Sequence, residues 1–187
     1  METCDNYRPI LVTGPTSDSV TIEQAKKQCE IAESDTTHDD HLCRLVNSAL
    51  QEFESDCDMC IAPQTWKVQH DDFEDGMQLQ KGPIQSITSI KYYNTAGTLT
   101  TLPTSVYNFD VANRRIRLQY FQIVPLSQLR WDAWEFTYLC GFASPPPLAV
   151  QAMLMLVEKY WLGREMREPN YERYQNLVLK MQRSTYP

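Results

Sequence analysis

Between residues 37 and 66 the apolar positions recur every third or fourth residue, and beyond Pro63 they recur every second. Leu42, Leu45, Val46, Ala49, Leu50, Phe53 and Cys57 keep the spacing of one buried stripe on a long helix, 37–59. Asp39, Asp40, Arg44, Ser48, Gln51, Glu52 and Ser55 take the other faces. Thr37 is placed to cap the first turn, and Asp39 and Asp40 suit the positive end of the helix dipole. No helix nearby offers a comparable face, so the rest of the fold is expected to pack on this one.

Upstream, the pattern predicts a short helix over 21–31, opened by a capping box of Thr21 and Gln24. Ile22, Ala25 and Cys29 share its buried side, and Lys26 and Lys27 are expected to face out. Residues 1–18, with Pro9, Gly14 and Pro15, read as an irregular arm. Its apolar patch, Ile10, Leu11 and Val12, is suited to lie along a neighbouring surface.

Downstream, strands are expected between 64 and 142. Trp66 and Val68 alternate with polar residues, as do Met77 and Leu79; Ile84, Ile87 and Ile90 lead into Tyr92 and Tyr93. Residues 94–97 make a hairpin turn with Gly97 free to take positive φ, and 98–102 return. Tyr107 with Phe109, Ile116 with Leu118, and Trp134 with Phe136 and Tyr138 repeat the alternation. Short connections suggest an antiparallel meander of about six or seven strands. Residues 121–131 interrupt it with apolar residues in no period, a protruding loop suited to contact rather than catalysis.

A third helix, 147–164, begins at Pro147 and is apolar on most faces. It has more apolar surface than one small core takes up, so Met153, Met155, Tyr160 and Trp161 are expected at an interface between subunits. A last helix carries Tyr174, Leu177, Val178 and Met181 on one stripe. The fold class is α+β, a helical bundle packed with an antiparallel sheet. Its expected divisions are an arm at 1–18, one domain over 19–165, and a C-terminal helix and tail at 166–187.

Composition narrows the function. The chain has 187 residues, 42% of them hydrophobic and 22% charged, with a net charge of −7. A protein that grips nucleic acid through phosphates shows the opposite sign, whereas an acidic surface suits a conduit along which DNA slides. The first residues have no basic segment followed by an apolar core, and no apolar run is long enough to span a bilayer. A protein made in a cytoplasm with free thiols and no membrane association is expected. Cys57 and Cys60 form a CxxC at one end of the long helix, while His38 and His41 sit at the other. That helix is roughly 30 Å long, so the two pairs cannot share a metal within one subunit. His70, Asp71 and Asp72 read as a charged hairpin tip rather than a ligand set. There is no P-loop and no GxGxxG. No catalytic centre, cofactor or metal is expected.

Four segments in order resemble the head–tail connector (adaptor) proteins of tailed bacteriophages. SVTIEQAKKQCEI is similar to that family's opening helix, and DDHLCRLVNSALQEFESDCDMCIAPQTWKV to its long helix running into a strand. KGPIQSITSIKYYNTAGTLTTLPTSVYNFD resembles its central strand, hairpin and return. FTYLCGFASPPPLAVQAMLMLVEKYWLGRE resembles its final strand, proline and apolar helix. The likeness covers about residues 19–165; the 121–131 loop and residues 170–187 lie outside the pattern, and the CxxC is no part of it.

The resemblance implies a non-enzymatic virion protein of the neck, assembled in the host cytoplasm. It implies a cyclic ring, commonly of twelve copies, beneath the portal protein. Such a ring extends the channel for genomic double-stranded DNA without binding it specifically, and receives stopper or tail proteins below. On this basis Tyr171, Tyr174, Leu177, Val178, Met181 and Tyr186 are the candidate portal contacts. Phe121, Gln122, Ile123, Val124, Leu126, Gln128 and Arg130 are the candidates for contact with the channel or the next tail component. The alternatives are a tail-associated enzyme that degrades cell wall, which needs a carboxylate pair in a cleft, and a DNA-binding packaging factor, which the net charge opposes.

Overall fold

A computed structural model describes residues 9–15, 19–163 and 170–185, with side chains up to residue 183. The described residues form seven strands and four helices: β1 (Ile10–Thr13), α1 (Ile22–Gln28), α2 (Asp39–Cys57), β2 (Gln64–His70), β3 (Ile84–Tyr93), β4 (Leu99–Thr101), β5 (Tyr107–Asp110), β6 (Arg115–Leu118), β7 (Trp134–Cys140), α3 (Pro147–Leu162) and α4 (Asn170–Thr185). The α+β expectation holds. The chain divides into two compact units. One holds β1 and the strands of Pro63–Gly141; the other holds the helices of Ser17–Ala62 and Phe142–Pro187.

In the helical unit α2 is the centre, as its stripe predicts. Leu42, Ala49, Leu50, Phe53 and Cys57 are buried, and they join Ala149, Ala152, Met153, Leu156 and Val157 of α3 and Tyr174, Val178 and Met181 of α4 in one core. The capping box of α1 is present, with both Thr21 and Gln24 bonded as expected. Two local expectations fail. Thr37 does not cap α2; His38 occupies that position without a side-chain bond, and the Thr37 N–H donates to Asp35 Oδ1 at 2.9 Å. Lys26 does not face out: it is buried, its ammonium 2.7 Å from Asp39 and 3.3 Å from the Glu33 carbonyl. A lysine stem can lie across apolar surface when its head finds a carboxylate, and periodicity does not register that.

The strand unit departs further from its expectation. Its main sheet has the order β1-β2-β7-β3-β4, and β5 and β6 form a separate antiparallel pair. A meander would have set β2 beside β3. Instead β7, the last strand in the chain, lies between them and pairs antiparallel with both. Its side chains explain the position: Trp134, Phe136, Tyr138 and Cys140 are fully buried, and the alternate residues are covered too, which suits a strand flanked on both sides. Phe73, Tyr92 and Phe136 pack their rings around Trp134. The segment around Met77 and Leu79 is not a strand; it makes one bridge, Gln78 to Arg115 of β6. Residues 10–13 are a strand, paired antiparallel with β2 at the edge of the sheet, not an irregular arm. At the β3–β4 turn Gly97 has φ +78° and the Asn94 side chain accepts from the N–H groups of Ala96 and Thr98, so that hairpin forms as expected.

Candidate interaction surfaces

The sequence places three groups of contact residues, and the structure treats them differently. On α4, the apolar stripe faces inward: Tyr174, Val178 and Met181 are buried in the core of their own unit, and Leu177 is half-covered. The Tyr174 ring meets Phe53 edge-on at 6.3 Å, and its hydroxyl donates to Asp56 Oδ2 at 2.5 Å. Gln182 Nε2 donates to the Asp56 carbonyl at 3.1 Å, so α4 is bonded to α2 near both ends of its stripe. Of the six portal candidates, Tyr171 is exposed and Tyr186 lies outside the described residues. A helical stripe marks a buried face without saying whose surface buries it. Here three of the residues are spent within the subunit.

On α3 the correction is similar. Met153 is fully buried in its own unit, so it has no surface to offer a second subunit; Met155, Tyr160 and Trp161 are half-covered. The Trp161 ring has His38 and His41 edge-on at 5.3 and 5.8 Å. Tyr160 donates its hydroxyl to Glu52 Oε2, and Lys159 Nζ lies 3.0 Å from Glu52 Oε1. Burial pushes the phenol pKa values of Tyr160 and Tyr174 up, and their bonds to Glu52 and Asp56 push them further in the same direction. Burial works against the Glu52 carboxylate, yet the bonds from Tyr160 and Lys159 and the lysine charge outweigh it, and its pKa falls below the usual range. These groups form a cross-helix clasp whose acids are already engaged.

The loop at 121–131 is as protruding as its composition suggests. Tyr120, Phe121, Ile123, Leu126, Leu129 and Trp131 are each more than four-fifths exposed; Leu129 is at 103%. Gln122 and Gln128 are exposed, Val124 and Arg130 half-covered. Exposure here does not mean absence of structure. The Gln128 N–H donates to the Tyr93 carbonyl at 2.8 Å, and Ser127 bridges Asn94 at the end of β3. The Arg130 guanidinium lies 3.9 Å over the Tyr93 ring and holds Asp132 with two bonds, of 2.7 and 3.0 Å. Polar and backbone groups therefore fix the base of the loop while its apolar side chains stay in water. Tyr120 and Phe121 pack together with ring centroids 4.2 Å apart. Leu129 and Trp131 lie within the predicted contact loop but were not singled out in it, and Tyr120 lies just before it.

Two further features carry chemistry by composition. Asn108, Phe109, Asp110, Asn113, Arg115 and Arg117 line a shallow depression of about 410 Å³ on the β5–β6 pair. Cys57 and Cys60 are both buried, and burial, followed by the Asp56 charge, pushes the Cys57 thiol up to about 12. A thiol so raised is a poor nucleophile at neutral pH. No cluster of three or more metal-ligating side chains occurs among the described residues. No helix among them is long and apolar enough to cross a membrane.

No family model matches the chain, and no curated protein does. Solved structures do. A chain in the neck of an empty gene transfer agent particle, computed with C6 symmetry, superposes with a TM-score of 0.77, covering 94% of this chain and 95% of that one at 16% identity. This chain shares the fold of that neck chain. A chain in the native gene transfer agent virion gives a TM-score of 0.74 over 93% and 94%, and one in the native neck computed with C12 symmetry gives 0.71 over 94% and 94%, both again at 16% identity. Each superposition covers nearly the whole of both chains compared. At that identity it is the backbone arrangement that is shared.

Proposed function

We propose that this protein is a structural component of the neck of a phage-like particle, a head–tail connector that assembles as a ring and extends the DNA channel. The observation that carries the reading is the near-complete coverage, on both sides, of a chain taken from a particle neck. The four sequence segments that resemble connector proteins support it independently of the fold. The symmetry of the comparison necks, C6 and C12, supports a cyclic assembly of this chain as well. The net charge of −7 supports a channel wall that DNA passes without sticking. The engaged state of Glu52 and Asp56 supports a scaffold rather than a hydrolase, since a catalytic acid pair must be reachable by substrate.

Within this reading the portal lies against α4 and the next component of the tail below. The outward face of α4 supplies the portal contact, through Tyr171 and Leu179, both nearly half exposed. The test uses particle heads assembled without this protein. Added wild-type protein is expected to bind to them and to restore tail attachment, and a Tyr171→Asp/Leu179→Asp variant to bind at least tenfold more weakly. Failure of the wild-type protein to bind such heads would overturn the neck reading. Undiminished binding by the variant would leave the neck reading in place and remove α4 from the contact.

A further inference from the structure

The 121–131 loop and strand β1 are the two most exposed apolar features of the strand unit; β1 lies at an edge of the main sheet, and the loop lies at the end of its inner strand β3. β1 is an outermost strand, with Ile10, Leu11 and Val12 each about half exposed. It is apolar, lacks the lysine or inward charge that blunts an edge strand, and among the described residues no strand pairs with its outer side. The loop is tied instead to Tyr93 and Asn94, at the end of β3. Two strands, β2 and β7, separate β1 from β3, so three strand spacings of about 4.8 Å put roughly 14 Å between the two features across the sheet.

The amount of apolar surface limits what the loop can be for. Phe121 and Trp131, with Tyr120 just before the loop, alone bring about 600 Å², as much as the largest patch on an ordinary monomer. Ile123, Leu126 and Leu129 carry it towards the roughly 800 Å² that each partner gives up in a standard stable interface. The loop carries one cation, Arg130, which is already paired with Asp132, so the surface offers nothing to phosphates. Its fixed base removes much of the ordering cost of binding.

We infer that the loop of one copy docks on the β1 edge of the next copy, making the head-to-tail contact of the ring. This rests on the ring reading above and reassigns the subunit contact from α3 to the strand unit. Two unlike apolar surfaces at separate places on the subunit generate a heterologous contact, which closes into a ring when the rotation permits; a single self-complementary patch would give an isologous pair. The loop supplies rigid aromatic and aliphatic anchors, and the β1 edge supplies an apolar surface, with an outer side that no described strand covers, to receive them.

The test uses the full chain without any other particle component. Sedimentation of the wild-type protein is expected to show a ring-sized assembly. Leu126→Asp/Leu129→Asp and, separately, Leu11→Asp are expected to sediment at the monomer mass of 21.7 kDa with unchanged circular dichroism. Because Cys43 is exposed and would confuse disulfide trapping, the contact is mapped with a photo-crosslinking phenylalanine analogue at position 129, expected to join residues 10–13 of another copy. Loop variants that still assemble, or crosslinks from loop to loop, would overturn the inference. So would a wild-type chain that stays monomeric and forms no crosslink between copies. The binding of that same protein to heads is measured separately, so the neck reading survives or falls on its own result.

Discussion

At the level of single residues, the clasp of Glu52, Asp56, Lys159, Tyr160 and Tyr174 sets the pH window of the helical unit. Glu52 has a lowered pKa, so its contribution is present above about 4.5, the unfolded value, and is lost as pH falls through the folded one. Tyr160 and Tyr174 have raised values, so theirs is present below about 10, the unfolded value, and is lost as pH rises further. Thermal melting is therefore expected to show a plateau with an acid and an alkaline limb. Tyr160→Phe/Tyr174→Phe should flatten the alkaline limb relative to wild type; an unchanged limb would show that other groups cause it. At neutral pH, Tyr174→Phe removes a hydrogen bond to a carboxylate and is expected to cost about 2 kcal/mol in urea unfolding. None of this clasp was legible in the sequence. Glu52 and Asp56 fall on polar positions of α2, and only the packing of α3 and α4 shows that those positions face protein rather than water.

At the level of elements, local signals were read well and partnerships poorly. The stripe of α2, the capping box of α1, the hairpin at Asn94 and the alternation of β7 all depend on residues close in sequence, and all are present. Thr21→Ala should accordingly cost about 1 kcal/mol of stability, measured by chemical denaturation. The place of β7 in the sheet, the conversion of residues 10–13 into a strand, and the inward turn of α4's stripe depend on distant partners. For α4 this changes the meaning of an experiment. Removing residues 170–187 would take the proposed portal contact away from the chain. It would also uncover the face of α2 that Tyr174, Val178 and Met181 cover, at a cost of about 1.5–3 kcal/mol for each buried side chain. The truncated chain should melt markedly lower than wild type, and a loss of attachment by it would report on folding as much as on contact. The Tyr171 and Leu179 substitutions avoid that ambiguity because they leave the buried stripe intact.

For the whole molecule, the interleaving of the chain has a consequence for how it comes to be folded at all. Each unit is assembled from segments far apart in sequence: the sheet needs β7 between β2 and β3, and the helical core needs α3 and α4 against α2. During synthesis, β2 and β3 leave the ribosome as strands whose shared neighbour does not yet exist, and the apolar stripe of α2 emerges about a hundred residues before the helices that cover it. Such long-range closure makes folding slow and leaves sticky intermediates while it lasts. Nascent chains halted before residue 134 should be digested readily by protease, with resistance appearing once both β7 and α3 are clear of the ribosome. Strand β7 is thus a late keystone, and until it arrives the growing chain keeps apolar surface in water.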